Sequence, residues 1–204
     1  IQMKLYYSPG ACSLAPHIAL RESGLAFEAI AAPTKTHRLA DGTDYYTINP
    51  LGYVPWLVLD DGKQLHECAA ILQFVADLVP DRQLAPANGS FARYKLQEWL
   101  NFIATELHKG FSPLFAPGMP DEAKAIAKTR VNGRLQWVDG EMADKSFLMG
   151  EHFTIADAYL FVVTGWSKHV GLDISGLTNL SAFVDRIGAR SAVQETLRAE
   201  GLTK

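Results

Sequence analysis

The chain has 204 residues, of which 48% are hydrophobic and 20% charged, and its formal net charge is -3. These values are typical of an ordinary globular protein with enough apolar residues for a sizeable core. The acidic balance and the lack of Lys or Arg clusters argue against nucleic acid or an anionic membrane as a partner.

The first third of the chain alternates strand and helix signals. Glycines and prolines mark the ends of these segments, most clearly at Gly24 and Asp61-Gly62. The order predicts a small mixed sheet flanked by helices over residues 1–80. The predicted elements are strand 4–7, helix 14–24, strand 27–30, short helix 44–48, strand 54–59, strand 63–65 and helix 67–79.

Residues 81–90 are rich in turn-forming residues, have no apolar period and predict a linker. After the linker only helical patterns are evident, so residues 91–204 are predicted to form an all-helical domain. The predicted helices are 91–107, 121–142, 154–166, 181–187 and 192–197.

The two cysteines, Cys12 and Cys68, are too few for a disulfide framework. They also have no His or Cys partners at metal-ligand spacing, so we expect no metal site. Their number agrees with a reducing, cytoplasmic setting.

Cys12 directly follows a strand and a Pro9-Gly10 turn, and it opens a helix. A cysteine most often simply packs in the core. A sulfur at a helix N-terminus, however, lies near unpaired N–H groups and the positive end of the helix dipole, which favour the thiolate. Ser13 adds a hydroxyl donor at the same place. We therefore expect a reactive thiol, without the second cysteine of a Cys-x-x-Cys motif.

Two further segments predict a peptide-binding site. Pro55, at the entry of a strand, is either an ordinary edge-strand proline or a cis-proline that turns the main chain of Val54 toward an extended ligand. Glu67 and Cys68 precede a helix whose N–H groups suit a carboxylate, while the Glu67 side chain could hold an ammonium. The alternative for Glu67 is a favourable interaction with the helix dipole alone.

Four segments in this order resemble the bacterial beta class of glutathione S-transferases, and the resemblance covers nearly the whole chain. It implies a thioredoxin-like N-terminal domain, an all-α C-terminal domain, a homodimer and a transferase that uses glutathione as co-substrate. The segments are MKLYYSPGACS at 3–13, NPLGYVP at 49–55, EWLNFIATELHKGF at 98–111 and FTIADA at 153–158.

The resemblance also implies a set of site residues. The catalytic residues would be Cys12, at the glutathione sulfur, and His108. The glutathione-binding residues would be Cys12, Ser13, His37, Val54, Glu67, Cys68, Asn101, Thr105, His108 and Lys109. The walls of a pocket for the hydrophobic co-substrate would be Phe115, Trp166 and Val170.

His108 also has a chemical argument, because an imidazole can exchange a proton near neutral pH. Lys109 adds positive charge that favours a thiolate. The alternative is that both residues only complement a helix dipole. Thr154 and Asp157 match a capping box and are expected to be structural.

Two positions depart from the pattern of the class. Position 68 is commonly Ser or Gly and is Cys here, which places a second thiol beside the predicted site. Cys68 could resolve a mixed disulfide on Cys12 if the two Cα atoms lie within about 7 Å. Position 37 is often Lys and is His37 here, which would weaken the contact with the glycyl carboxylate.

The sequence therefore predicts a detoxifying enzyme that joins the glutathione thiol to small hydrophobic electrophiles. Two alternatives remain open: a glutathione-dependent thiol-disulfide reductase of glutaredoxin type, and a non-catalytic binding protein of the same fold. Whether Cys12 forms a mixed disulfide or only stabilises the glutathione thiolate is also left open.

Overall fold

The computed structural model describes residues 2–204, and Ile1, at the start of the first predicted domain, lies outside them. The described chain forms two compact units, one up to Leu84 together with Arg190–Lys204, and the other Ala85–Ala189. Among the described residues, no helix has the length and apolar character needed to cross a membrane.

The strands are β1 (Met3–Tyr7), β2 (Glu28–Ala31), β3 (Trp56–Leu59) and β4 (Gln64–His66). The α-helices along residues 2–204 are α1 (Leu14–Ser23), α2 (Cys68–Leu78), α3 (Phe91–Phe102), α4 (Lys109–Phe115), α5 (Asp121–Glu141), α6 (Ile155–Gly165), α7 (Thr178–Gly188) and α8 (Ser191–Ala199).

The first unit contains a mixed sheet, as the sequence predicts, and its four strands lie in the order β2-β1-β3-β4. β1 and β2 are parallel, so the chain needs a crossover, which α1 provides. β3 is antiparallel to both of its neighbours and joins β4 through a tight turn. The C-terminal end of β1 therefore leads straight into the loop that carries Cys12.

Helix α1 ends where the sequence predicts, because Gly24 adopts the left-handed conformation with φ 73°. Glycine adopts this conformation without steric cost. α1 packs against both α2 and α8. The predicted second domain extends to residue 204, whereas the structure groups α8 with the first unit. The packing on α1 and the bidentate ion pair from Arg190 to Glu22, at 2.6 and 3.1 Å, account for this difference.

The second unit is helical, and no described residue of it belongs to a β-strand, which confirms the predicted all-α architecture. α4 packs on α5, and α6 packs on α3 and α7. Two local features were not predicted: the helix α4, and a π-helical turn formed by residues Ile103–His108 between α3 and α4. Apolar steps of three and four residues fit an α-helix equally well, so the π-helical turn could not be predicted from the sequence. Such turns occur frequently at functional sites.

Candidate functional site

Cys12 lies in the loop between β1 and α1, where its side chain is partly exposed. Its Sγ atom donates a hydrogen bond to the carbonyl oxygen of Val54 at 3.2 Å. The Val54–Pro55 peptide bond is cis, which confirms that interpretation of the sequence over an ordinary edge-strand proline. The thiol therefore lies beside a main-chain group at the entry of β3.

The loop that presents Val54 is fixed by buried polar side chains. The carbonyl oxygen of Tyr53 accepts hydrogen bonds from the Tyr45 hydroxyl at 2.7 Å and from the Asn49 amide at 2.8 Å. Burial raises the pKa of Tyr45 to about 12, so this hydroxyl stays a donor at neutral pH. Gly52 has φ 68°, and a Cβ atom there would come within 2.6 Å of the Tyr46 ring. The loop geometry therefore requires glycine at this position.

Ser13 is completely buried. Its hydroxyl accepts a hydrogen bond from the Ser8 N–H at 3.1 Å and lies 3.3 Å from the Ser8 carbonyl oxygen, to which it donates. Both bonds stay within the loop between β1 and α1. In this structure Ser13 therefore closes the turn that carries Cys12.

A carboxylate near the C-terminus also holds this turn. Glu200 accepts a hydrogen bond from the Gly10 N–H at 3.0 Å and lies 2.7 Å from the Nδ1 atom of His17. The side chains of both Glu200 and His17 are fully buried. Burial and the nearby Glu200 charge raise the pKa of Tyr7. We refer to Gly10, His17 and Glu200 as the C-terminal clasp. The sequence did not predict it, because its members are up to 190 residues apart.

Three predicted glutathione-binding residues of the first unit make different contacts. Cys68 is the first residue of α2, is buried, and has its Sγ atom 3.5 Å from the Cys12 carbonyl oxygen. Glu67 is exposed, and one of its carboxylate oxygens lies 3.5 Å from His66 Nδ1. His37 packs its ring on Tyr46, with centroids 4.5 Å apart. The first unit thus brings Cys12 and Cys68 together, while His37 contacts Tyr46.

In the second unit His108 is the last residue of the π-helical turn. Its Nδ1 atom lies 2.6 Å from the hydroxyl of Tyr159 on α6, and its ring meets Trp166 edge-on at 5.2 Å. These contacts fix the orientation of the imidazole and leave Nε2 for other partners. Tyr159 was not predicted from the sequence. The signal was a tyrosine inside a strongly apolar helix, because a buried hydroxyl needs a hydrogen-bond partner.

The other predicted residues of the second unit lie near His108 along the chain. The Thr105 hydroxyl donates to the Asn101 carbonyl oxygen at 2.9 Å, which is a bond along the helix. The side chains of Asn101, Thr105 and Lys109 are exposed.

The predicted wall residues Phe115 and Trp166 pack edge-on at 6.0 Å. Phe111, which the sequence analysis did not name, also meets Trp166, at 5.9 Å. Val170 follows the short 3-10 turn of residues 166–169 that begins with Trp166. Phe115 is 49% exposed, so this aromatic cluster has an apolar face that a ligand could cover.

Asp157, at the start of α6, forms the predicted capping-box hydrogen bond in which its side chain accepts from the Thr154 N–H. Its two carboxylate oxygens accept from the N–H groups of Leu148 and Thr154, each at 2.8 Å. Asp157 is fully buried, so groups of the protein and not water bind its carboxylate. This agrees with a structural role.

Sequence models of two domains match the chain. The N-terminal domain of glutathione S-transferases matches residues 10–78, and the C-terminal domain matches residues 102–191. The chain is 51% identical to "Glutathione S-transferase GstA" of Escherichia coli O157:H7, and the match covers 98% of this chain and 100% of that protein.

Solved structures give the same result. A ternary complex of BphK, described as a bacterial GST, superposes with a TM-score of 0.95 at 56% identity, over 97% of this chain and 99% of that chain. The beta class glutathione S-transferase of Sphingomonas chungbukensis superposes with a TM-score of 0.95 at 50% identity, over 98% of this chain and 100% of that chain.

Proposed function

Because the chain belongs to the bacterial beta class of the glutathione S-transferase family and is a glutathione transferase, we propose that it joins the glutathione sulfur to small hydrophobic electrophiles. The observation that carries this proposal is the Cys12 thiol, partly exposed and 3.2 Å from the Val54 carbonyl oxygen. A sulfur in this position lies beside a main-chain edge to which a peptide can bind.

The first unit binds glutathione. The main chain of Val54 pairs with the peptide backbone of glutathione, and its carbonyl oxygen has a second lone pair beside the Cys12 thiol. Glu67 holds the γ-glutamyl ammonium, while the N–H groups at the start of α2, where Cys68 lies, receive the carboxylate. His37 approaches the glycyl end. Glutathione bound in this way has its sulfur at Cys12.

The second unit supplies proton exchange and charge. His108 takes the thiol proton or stabilises the thiolate, while Tyr159 holds the imidazole in place. Lys109 adds positive charge, and Asn101 and Thr105 contribute polar contacts. The thiolate attacks the electrophilic carbon, forms a C–S bond and displaces a leaving group such as chloride. His108 and Cys12 are the catalytic residues, and Tyr159 is a positioning residue.

The electrophile occupies an apolar pocket. Phe115, Trp166 and Val170 form its walls, and the exposed part of Phe115 provides apolar surface for contact. In this proposal the first unit, which includes Arg190–Lys204, binds glutathione, and the second unit, Ala85–Ala189, holds the hydrophobic co-substrate.

Thiol-disulfide exchange is a second candidate, favoured by the partly exposed Cys12 thiol itself. The Cys12 thiolate would attack a mixed disulfide of glutathione and a substrate thiol, releasing one thiolate and keeping the other partner on Cys12. A free glutathione thiolate would then attack that disulfide, restoring Cys12. This exchange needs a sulfur at position 12, whereas conjugation needs only that the glutathione thiolate be stabilised.

One pair of assays separates the two candidates. Wild type, Cys12→Ala and His108→Ala are incubated with glutathione and an aromatic chloro-electrophile, and separately with a glutathione mixed disulfide. We expect wild type to conjugate the electrophile, and His108→Ala to conjugate it about 100-fold more slowly, in line with general acid-base catalysis. If only the disulfide reaction exceeds background and requires Cys12, the second candidate is the correct function. If neither reaction exceeds background, both fail.

The proposal extends to a cytoplasmic, detoxifying enzyme that works as a homodimer, with glutathione and a small hydrophobic electrophile as its partners. The proposed reaction involves no metal, nucleic acid or membrane. Light scattering after size-exclusion chromatography measures the assembly directly. A mass near that of one 22.4 kDa chain would contradict the dimer.

A further inference from the structure

Two thiols lie side by side in the first unit, and the proposed transfer reaction uses only one of them. Cys68 Sγ lies 3.5 Å from the carbonyl oxygen of Cys12. A carbonyl oxygen lies within about 2.8 Å of its own Cα atom, so the Cys68 sulfur is at most about 6.3 Å from the Cys12 Cα. Adding about 2.8 Å from the Cys68 sulfur to its own Cα atom puts the two Cα atoms at most about 9 Å apart. This bound includes the Cα separations of disulfides, about 4.4–6.8 Å. Bridge formation requires the Cys12 thiol to leave its hydrogen bond to the Val54 carbonyl oxygen.

The two thiols differ in their access to solvent. Cys12 is partly exposed, whereas Cys68 is only 4% exposed and lies at the start of α2. A dissolved disulfide can therefore reach Cys12 but not Cys68. Once Cys12 carries a disulfide, Cys68 is the protein thiol beside it. The accessibility of the two residues thus fixes the order in which they react.

We propose that Cys68 resolves a mixed disulfide between Cys12 and glutathione, so that the protein is reversibly oxidised by glutathione disulfide to an internal Cys12–Cys68 bridge. This inference rests on the proposed binding of glutathione at Cys12. It adds a second activity, dithiol-disulfide exchange, and a redox modification that removes the Cys12 thiol from the transfer reaction.

The reaction has two balanced steps. First, the Cys12 thiolate attacks one sulfur of glutathione disulfide; the S–S bond breaks, and one glutathione thiolate leaves and takes up a proton. Second, Cys68 loses its proton to the second departing glutathione and attacks Cys12 Sγ, which forms the internal bridge. In total, two protein thiols are oxidised to a disulfide and one glutathione disulfide is reduced to two glutathione molecules. Excess glutathione reverses both steps.

The bridge forms readily because its second step is intramolecular. Effective concentrations of tethered groups are in the millimolar range for flexible links and higher in fixed geometry. The Cys68 thiol therefore displaces glutathione from Cys12 when free glutathione is below about 1 mM. At higher glutathione concentrations the protein stays reduced and able to transfer glutathione.

The test uses the full chain, reduced and then freed of reductant. Wild type, Cys68→Ser and Cys12→Ser are incubated with glutathione disulfide, quenched with acid, unfolded and alkylated. Intact mass and peptide mass spectrometry then identify the state of each sulfur. We expect wild type to lose two hydrogens and to give a linked pair of peptides containing residues 12 and 68. Cys68→Ser should stop at one glutathione on Cys12, and Cys12→Ser should remain unmodified.

Three results would overturn the inference. Wild type could stop at the glutathione adduct, as expected for Cys68→Ser. Cys12→Ser could acquire glutathione on Cys68 as fast as wild type reacts. The linked peptides could arise only from covalent dimers on a non-reducing gel.

The conjugation rate of reduced wild type, measured in parallel, separates this inference from the proposed function. Conjugation without a bridge overturns the inference alone, whereas loss of both conjugation and adduct overturns both. If the inference holds, the conjugation rate of wild type falls in proportion to the bridged fraction, and dithiothreitol restores it.

Discussion

The two units hold their candidate reactive groups in different ways. In the first unit the Cys12 thiol lies in a loop, and buried polar contacts to Val54 and to the C-terminal clasp fix that loop. In the second unit His108 lies on a continuous helical segment, and aromatic side chains hold its ring. A loop has no repeating hydrogen bonds of its own, so its geometry depends on side chains from distant parts of the chain. A helix already fixes the direction of its side chains.

The largest expected effect comes from breaking the clasp. Glu200→Ala should lower the free energy of unfolding by about 2–6 kcal/mol, because it leaves two donors without their acceptor, at about 1–3 kcal/mol each. His17 Nδ1 and the Gly10 N–H would both lose their acceptor. Conjugation should fall as well, because Gly10 lies two residues before Cys12. Urea unfolding followed by circular dichroism measures the stability change.

Glu195→Ala is the matched control, because it lies on α8, which ends just before Glu200, with a side chain 56% exposed and 4.0 Å from Arg21. Exposed ion pairs contribute about 0–1 kcal/mol, so this variant should behave like wild type. If Glu200→Ala also stays within about 1 kcal/mol of wild type, the clasp does not hold the loop.

The second unit has its own buried carboxylate, Asp157. Asp157→Ala tests whether this carboxylate contributes less to stability than Glu200 does in the first unit. This change removes the acceptor of the Leu148 and Thr154 N–H groups at the start of α6. We expect a loss of about 2–4 kcal/mol from the missing cap and the unsatisfied buried donors. Asp157→Asn keeps one acceptor oxygen and should lose less. Equal stability of Asp157→Ala and wild type in urea would contradict this role.

Tyr159→Phe tests whether the hydrogen bond from Tyr159 positions the His108 ring for catalysis. It removes only the hydroxyl that lies 2.6 Å from Nδ1 and keeps the ring packing. A lost hydrogen bond of about 1 kcal/mol corresponds to roughly a fivefold decrease in kcat. The KM for glutathione should not change, which distinguishes positioning from general damage to the fold. Tyr94→Phe, 59% exposed on α3, should leave both constants unchanged, and an equal loss there would contradict the specific role.

The smallest effect is expected at Glu106, which lies within the π-helical turn. The hydrogen bond from Arg134 at 2.8 Å, with Arg130 nearby, holds the pKa of this carboxyl below its usual range. A lowered folded-state pKa stabilises the protein above the unfolded pKa, about 4.3, and this contribution is lost as pH falls through the folded value. Glu106→Gln should therefore lower the free energy of unfolding by less than about 1 kcal/mol at pH 7, and should not change it in strong acid. If Glu106→Gln still destabilises the protein in strong acid, the loss does not come from the ionised carboxylate of Glu106.

Much of the fold could be predicted from the sequence because its signals are local. Apolar periods locate most helices, Gly24 marks the end of α1, and Asp61-Gly62 marks the turn between β3 and β4. The alternation of strands and helices predicts the mixed sheet, and its loss after residue 90 predicts the helical unit. Cys12 is recognisable because a strand, a turn and a helix start surround it in a few residues.

Only the tertiary structure decided how these residues are held. Glu200 reaches Gly10 across 190 positions, and Cys68 reaches Cys12 across 56, so no short window of sequence contains either pair. The π-helical turn was hidden because its apolar spacing also fits an α-helix. The sequence by itself determined which groups can react, since that depends on residue type and neighbours along the chain. Packing determined their partners, because burial brings together side chains from distant segments and leaves their polar atoms only each other to bind.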